Sequence, residues 1–236
     1  MEPKVTIIIP FYNCPYVDQA IQSALNQTYQ NVEIIVVDDG STINTDRIIP
    51  FQEKIIYLRK ENGGTATALN HGIGSASGEY IAWLSSDDYF VPEKIAKQMT
   101  FMLNNNAEVS FTNFDIIDQN NQVITPFCGL RFSDIKEVYK QFFILNPVNG
   151  CTVIMKKSLF EQIGYFNPVH RYTHDYEMWF RVLISGHKMD YLDEALTKFR
   201  WHEGSGTSQF QPEIKKEMEL IESCFRPMLA EFLKQQ

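Results

Sequence analysis

The first hundred residues alternate between short apolar runs and amphipathic segments, and this alternation restricts the fold more than any other feature of the chain. Four apolar runs predict buried strands, at 5–9, 33–37, 55–58 and 80–84. Apolar residues at helical spacing predict three helices, over 15–25, 65–75 and 92–103. Strands and helices that alternate in this way build a mostly parallel, doubly wound sheet flanked by helices. We therefore predict an α/β fold.

The second half of the chain is less regular. Apolar runs predict strands at 109–111, at 115–124 with a turn at Asn120-Asn121, and at 152–155. Helices are predicted over 133–145 with Ser133 as the cap, over 157–163 and over 175–185. We predict one domain over 1–210 and a C-terminal helix over 211–236. The apolar stripe of this helix is interpreted as packing on its own domain; the alternative is a contact with a second copy or a membrane.

Charge and cysteine usage restrict the classes of partner. The 236 residues carry a formal net charge of -8, which is unsuited to binding nucleic acid. The four cysteines form no CxxC pair, as is typical of reduced thiols in the cytosol. The apolar run after the acidic N-terminus is too short for a signal peptide, and no run of ~18 apolar residues follows. We expect a soluble cytoplasmic protein, with the inner face of the membrane as an alternative location.

Each of the four predicted strands in the first half is followed by polar, aromatic or glycine residues. These stretches are Phe11-Tyr12-Asn13, Asp38-Asp39-Gly40-Ser41, Asn62-Gly63-Gly64 and Ser85-Ser86-Asp87-Asp88. Any one of them alone is an ordinary turn or cap. Four together indicate a ligand site, because ligands of parallel sheets bind at the carboxyl ends of the strands.

The residue types at this edge indicate a nucleotide and a divalent cation. Two acidic clusters on one sheet edge repel each other unless a cation is bound, and carboxylates with few basic neighbours suit Mg²⁺ or Mn²⁺. Such an ion, shared with a diphosphate, neutralises charge on a phosphate leaving group. Tyr12 offers an aromatic face to a base, and Asp39 an acceptor for a base N–H or a ribose hydroxyl. Gly63 and Gly64 allow the backbone to approach a ligand closely.

At these residues the chain resembles the family 2 glycosyltransferases, which have the GT-A fold. The matching stretches are Val5-Thr-Ile-Ile-Ile-Pro-Phe-Tyr-Asn13, Val36-Val-Asp-Asp-Gly-Ser41, Glu61-Asn-Gly-Gly64, Leu69-Asn-His-Gly-Ile73 and Leu84-Ser-Ser-Asp-Asp88. The resemblance implies that Pro10, Tyr12 and Asp39 hold the nucleoside and that Asp87 is the metal-binding aspartate of the DxD motif. We add Asn62, Gly63 and Ser86 to the nucleotide-binding set.

The sequence departs from the family pattern at two positions. Ser85 stands where the family often has the first aspartate of DxD. Leu69 stands where many members have an arginine near the diphosphate, so the phosphate charge must be neutralised by another residue.

Two later stretches extend the resemblance. Thr173-His-Asp-Tyr-Glu-Met-Trp-Phe-Arg181 resembles the acidic motif that supplies the catalytic base, which implies that Asp175 is the base and places His174 where glutamate is common. Phe199-Arg-Trp-His-Glu-Gly-Ser-Gly-Thr-Ser208 resembles a late strand and loop in which Arg200 contacts the diphosphate and His202 binds the metal.

The function that the resemblance implies is transfer of a hexose, with inversion, from a nucleotide-diphosphate donor. UDP is the favoured nucleotide, Mn²⁺ or Mg²⁺ the cofactor, and a glycan or lipid-linked saccharide the acceptor. Residues 1–104 would bind the donor, and residues 105–210 would supply the base and bind the acceptor. Aromatic residues between 127 and 149 either stack on acceptor sugars or form core: Phe132, Tyr139, Phe142 and Phe143.

Two other functions compete with this one. A sugar nucleotidyltransferase usually has a glycine-rich loop with a basic residue after the first strand, and Phe11 to Pro15 provide no such loop. A non-catalytic module that binds nucleotide sugars or glycans is favoured by Ser85. The carboxylates of Asp87, Asp88 and Asp175 argue against it.

Overall fold

The protein is described by a computed structural model over residues 2–235. Within these residues there are nine strands, β1 Val5–Phe11, β2 Val32–Asp38, β3 Ile56–Arg59, β4 Tyr80–Trp83, β5 Tyr89–Phe90, β6 Val109–Ile117, β7 Val123–Thr125, β8 Ile154–Lys156 and β9 Asp190–Arg200. The same described part of the chain has eight α-helices, α1 Val17–Leu25, α2 Thr65–Ser75, α3 Lys94–Asn105, α4 Ile135–Phe142, α5 Lys157–Ile163, α6 His174–Ile184, α7 Gly206–Gln209 and α8 Gln211–Lys234. Short 3-10 segments cover Thr45–Phe51 and Gly150–Thr152.

One sheet runs through the molecule, in the order β3-β2-β1-β4-β8-β6-β9-β5, with β7 paired to β6. The pairs formed by β1, β2, β3 and β4 are parallel, and so is the β6–β9 pair. Strand β8 runs antiparallel to both of its neighbours, β4 and β6. The prediction of a mostly parallel sheet flanked by helices is confirmed, and the antiparallel pairs account for the irregular second half.

The central strand β1 is buried along its whole length because helices cover both faces of the sheet. Its side chains alternate between two apolar clusters. Ile7 and Ile9 pack with residues of α1 and α3, whereas Ile8 packs with residues of α2, α6 and α8. A strand buried on both faces has no polar side to display, which explains its continuous apolar sequence.

The predicted bounds of the helix over 133–145 are wrong at both ends. Helix α4 is shorter, and its N-cap is Asp134, whose carboxylate accepts from the N–H groups of Lys136 and Glu137. Ser133 lies outside the helix and donates its N–H to the Glu137 side chain. The predicted strand at 152–155 begins later, because Thr152 closes a 3-10 turn before β8.

The C-terminal helix α8 packs on α6, as its apolar stripe predicts. Ile221 and Leu229 are buried in the core, and the ring of Phe225 stacks on Phe180 at 5.6 Å between centroids. Within residues 2–235, none of the helices combines the length and the apolar character that a bilayer crossing requires.

Candidate active site

The carboxyl ends of the first-half strands meet at one edge of the sheet. The backbone N–H of Asp39 donates to Phe11 O at 2.8 Å, and the N–H of Leu84 donates to Ile8 O at 3.0 Å. The N–H of Lys60 donates to Asp38 O at 2.9 Å. These bonds continue the parallel ladder beyond the strands and place the segments that follow β1, β2, β3 and β4 side by side.

Asp39 lies at the centre of the residues that the sequence predicts to bind the nucleotide. Its carboxylate is almost fully buried and accepts hydrogen bonds from the backbone N–H of Gly63 at 3.0 Å and of Gly64 at 2.7 Å. The ammonium group of Lys60 forms an ion pair with the same carboxylate. The Asn62 side chain donates to Asp39 O at 2.9 Å. Three predicted residues, Asp39, Asn62 and Gly63, are therefore brought together.

A side chain at position 63 would disturb this arrangement. A Cβ added to Gly63 would lie 2.7 Å from Thr67 Oγ1 and 3.0 Å from Lys60 Nζ. Gly64 has a φ of +88°, which L-residues with side chains rarely adopt. The glycine pair is thus needed to hold two backbone N–H groups against Asp39.

Tyr12 and Pro10 have different surroundings at the end of β1. The Tyr12 side chain is 54% exposed and free to contact a ligand. Pro10 is buried and paired with Val37 inside the sheet, so it shapes the strand end. Asn13, at φ 54°, fixes the turn after Tyr12, because its side-chain oxygen accepts from the N–H groups of Thr42 and Ile43.

The residues after β4 include Asp87, the residue that the sequence predicts to bind a metal. Asp87 Oδ2 lies 3.1 Å from His202 Nε2, which approaches from the loop after β9. Ser86 is buried, and the Ser85 hydroxyl lies 3.0 Å from Cys151 Sγ. Asp88 is buried and accepts the Arg200 N–H at 2.8 Å, and burial together with the Asp87 charge raises its pKa well above the usual value.

Asp87 and His202 are the two residues that the resemblance identifies as metal ligands, and they lie within contact of each other. A carboxylate and an imidazole are a donor set that divalent transition metals accept. Among residues 2–235, no three His, Cys, Asp or Glu side chains cluster as a complete metal site. A cation held by this pair therefore needs further oxygen ligands, such as those of a diphosphate and water.

Arg200 is fully buried directly behind Asp87. Its guanidinium donates to Asp87 O at 2.8 Å, to Asp118 O at 3.0 Å and to Gln19 Oε1 at 3.0 Å. It also lies 4.3 Å from the centroid of the Tyr16 ring. These contacts hold the loop that carries Asp87. All three of these guanidinium bonds go to protein groups. The predicted contact between Arg200 and a diphosphate stays a prediction.

Asp175 lies in the first turn of α6. Its carboxylate accepts the N–H of Tyr176 at 2.7 Å, and burial raises its pKa from 3.8 to about 6. The preceding His174 packs against Trp83, the last residue of β4, with ring centroids 5.3 Å apart. This contact brings the start of α6 to the same end of the sheet as the segment that carries Asp87.

The His174 side chain is buried beside two aromatic rings. Its ring lies against Trp83 and Phe166, and neither ring nitrogen makes a hydrogen bond. Burial lowers its pKa to about 4, so the ring is neutral at physiological pH. The backbone of His170 and Arg171 also lies beside the ring, and a neutral histidine in this setting packs mainly as an aromatic ring.

Two contacts in the site were not predicted from sequence. Lys60 pairs with Asp39, and Glu217 of α8 accepts hydrogen bonds from the segment that precedes α6. Lys60 directly follows β3, at the same sheet edge as the predicted residues. Its place in the sequence is therefore enough to make it a candidate site residue. Glu217 lies on a mostly polar helix face, where nothing in the sequence distinguishes it from its neighbours.

Comparison with known proteins agrees with this architecture. The glycosyl transferase family 2 model matches residues 6–164. An uncharacterized glycosyltransferase of Rickettsia typhi is 38% identical over 99% of this chain and 74% of its own length. One from Rickettsia prowazekii is 40% identical over 87% of this chain and 66% of its own length. A Rickettsia felis relative is longer, and the match covers 36% of it.

The solved structure of S. aureus TarS 1-349 in complex with UDP-GlcNAc superposes with a TM-score of 0.73. The match covers 98% of this chain and 71% of that one at 23% identity. This likeness confirms the predicted GT-A type fold. The family model and the Rickettsia relatives show that the chain belongs to glycosyl transferase family 2.

Proposed function

We propose that the chain is an inverting, metal-dependent hexosyltransferase that uses a UDP-sugar donor. The observation that carries this proposal is the arrangement at one sheet edge. The Asp87–His202 pair suits a metal and a diphosphate, and Asp175 is a separate carboxylate with a pKa of about 6. A single displacement at a sugar carbon needs these two functions, leaving-group stabilisation and one base.

UDP is the proposed nucleotide because of Tyr12 and Asp39, and because the similar TarS fold has been solved with UDP-GlcNAc and with UDP. Each Asp39 oxygen already accepts two hydrogen bonds in this structure. A base N–H therefore binds by displacing one donor. Lys60 is the donor that moves most readily, because it lies at the end of a flexible side chain, unlike the two backbone N–H groups.

We propose that Asp87 and His202 hold Mn²⁺ or Mg²⁺. Their mixed nitrogen and oxygen donor set fits Mn²⁺ better, since Mg²⁺ prefers oxygen ligands. When bound, the ion supplies positive charge for the diphosphate of the donor. Arg200 keeps Asp87 in place through the bond to its backbone carbonyl. Position 69 offers no cation, since it holds a leucine that is buried in the core.

Asp175 is the proposed base. The carboxylate takes the proton from an acceptor hydroxyl while that oxygen bonds to the anomeric carbon. The bond from this carbon to the diphosphate oxygen breaks, and its electron pair leaves with UDP. A base with a pKa near the working pH is ionised and still a competent proton acceptor.

We propose a glycan or a lipid-linked saccharide as the acceptor. Of the four aromatic residues considered for acceptor stacking, Phe142 is fully buried core, and Phe132 and Tyr139 pack against the core. Phe143 is 36% exposed and is the member of this group that remains available to a sugar ring.

The experiment that tests this proposal measures UDP release from a panel of UDP-sugars, with water as acceptor. We expect turnover with Mn²⁺, its loss in excess EDTA, and its return when Mn²⁺ is restored. Asp87→Ala should abolish turnover without rescue at moderate Mn²⁺. Asp193→Ala, at an exposed carboxylate paired with Arg131, is the matched control and should behave as wild type.

Two outcomes would contradict the proposal. Full turnover in excess EDTA would show that the Asp87–His202 pair is structural. UDP-sugar binding without any turnover would favour the non-catalytic binding module.

A further inference from the structure

Glu217, in the first third of α8, accepts four hydrogen bonds from three consecutive residues. Its Oε1 accepts the backbone N–H of Arg171 at 3.0 Å. Its Oε2 accepts the N–H groups of Tyr172 and Thr173, both at 3.0 Å, and the Thr173 hydroxyl at 2.8 Å. Bonds to a charged acceptor are the stronger kind, and several on one carboxylate fix a backbone segment rather than a single side chain.

The segment that Glu217 holds leads directly into the helix of the proposed base. Thr173 is the N-cap residue of α6, and Asp175 is the second residue of that helix. The Thr173 side chain does not cap its own helix, since its hydroxyl donates to Glu217. The orientation of the first turn of α6 therefore depends on a residue 42 positions farther along the chain than Asp175.

Further contacts of the C-terminal region support the same segment. The rings of Tyr172 and Phe210 stack at 4.7 Å between centroids. The Tyr176 hydroxyl lies 3.3 Å from Oε1 of Glu222, which follows Glu217 by five residues on α8. These contacts on both sides of Asp175 restrain rotation of the start of α6.

The segment also lies close to the residues proposed to bind the donor. A Cβ added to Gly64 would lie 3.8 Å from Arg171 Cγ, and the Gly64 N–H is one of the donors to Asp39. Residues 171–173 thus span from the donor pocket to the helix that carries Asp175.

We propose that Glu217 is a positioning residue that fixes Asp175 relative to the donor pocket by holding residues 171–173. This inference rests on the proposed role of Asp175 as the base. Displacement of a reacting group by ~1 Å can lower a rate by about 100-fold. Loss of the Glu217 carboxylate should therefore lower kcat far more than it lowers the affinity for the donor.

The first test compares three variants on the same helix. Glu217→Ala should lower kcat for UDP release roughly 10–100-fold, while UDP affinity by calorimetry stays within about threefold. Glu217→Gln keeps one acceptor oxygen and should fall between Glu217→Ala and wild type. Glu219→Ala, at an exposed residue paired with Lys215, is the matched control and should keep wild-type kcat.

The second test is a double-mutant cycle with Asp175→Asn, measured as single turnovers at high enzyme concentration. If Glu217 acts through Asp175, adding Glu217→Ala to Asp175→Asn should lower the residual rate by less than about threefold. Amide exchange should separately show faster exchange at Tyr172 and Thr173 in Glu217→Ala but not in Asp175→Asn.

The outcomes separate this inference from the proposed function. Wild-type turnover in Asp175→Asn would overturn the base assignment itself. A damaging Asp175→Asn combined with unchanged kcat in Glu217→Ala would overturn the positioning role alone. Equal fold-losses from Glu217→Ala in both backgrounds would show a general structural effect and would also overturn it.

Discussion

Asp39 and Asp175 are two carboxylates at the same sheet edge with different surroundings. Asp39 is held by two backbone N–H groups and the Lys60 ammonium. Asp175 has a backbone N–H as its close partner, and burial raises its pKa to about 6. Carboxylates in contrasting environments can perform different tasks in one site. Asp39 suits ligand binding, and Asp175 suits proton transfer.

The role of Asp39 is tested by binding. We predict that Asp39→Ala weakens UDP binding by ~1–3 kcal/mol, the usual cost of losing a charged hydrogen-bond partner. Isothermal calorimetry on the folded variant measures this, and UDP should bind the wild type more tightly than ADP does. Lys60→Met, which leaves the carboxylate in place, should retain UDP affinity within about threefold. Unchanged UDP affinity in Asp39→Ala would remove Asp39 from the nucleotide site.

The role of Asp175 is tested by turnover and its pH dependence. Asp175→Asn should lower kcat by about 10²–10⁴-fold with donor affinity nearly unchanged. The wild-type rate should fall as the pH drops below about 6, because protonation removes the base. His174→Ala should have a smaller effect, since this residue is neutral above about pH 4 and packs on aromatic rings. Wild-type turnover in Asp175→Asn together with a damaged His174→Ala would exchange the two roles.

Among the elements, α8 contributes to both the core and the site. Its apolar stripe completes the cluster on one face of the sheet, and its polar residues hold the start of α6. A helix with these two sets of contacts links the stability of the protein to the position of Asp175, the proposed base.

The contribution of α8 to the core is tested by a pair of adjacent substitutions. Leu229→Ala should lower the free energy of unfolding by about 2–5 kcal/mol, because Leu229 is fully buried. Met228→Ala, next to it and 51% exposed, should change stability by less than about 1 kcal/mol. Urea denaturation compares the two variants. Equal, small effects would mean that α8 does not pack on the domain as described.

The elements that the sequence predicts well are those with a continuous local pattern. Helices α2 and α5 have the predicted bounds, and the four apolar runs of the first half become β1 to β4 within about two residues. The sequence indicates strand β9 only at its end, through the family resemblance that begins at Phe199, because its burial is uneven and gives no regular alternation. Strand β5 is two residues long, too short for any periodic pattern.

The same distinction applies to the site. Three predicted residues follow strands of the parallel part of the sheet: Asp39, Gly63 and Asp87. The topology brings the segments that carry them to one edge, so the order of strands and helices in the sequence is enough to predict a shared site. The partners of Glu217 and Arg200 are set by how distant segments pack, which no local pattern encodes.

At the scale of the whole molecule, the change from parallel to antiparallel pairing at β8 joins two parts of one sheet. The parallel part carries the residues proposed to bind the donor, and the loop after β9 carries His202. Helix α6 brings Asp175, the proposed base, to the same edge. This arrangement is suited to one displacement rather than two.

The most direct test of this account is the stereochemistry of transfer. Proton NMR of the first product formed from an α-linked UDP-sugar, recorded before mutarotation, identifies the anomeric configuration. We predict a β product, because one in-line displacement with Asp175 as the base inverts the anomeric carbon. An α product would mean that configuration is retained, and it would contradict the assignment of a single base and a single step.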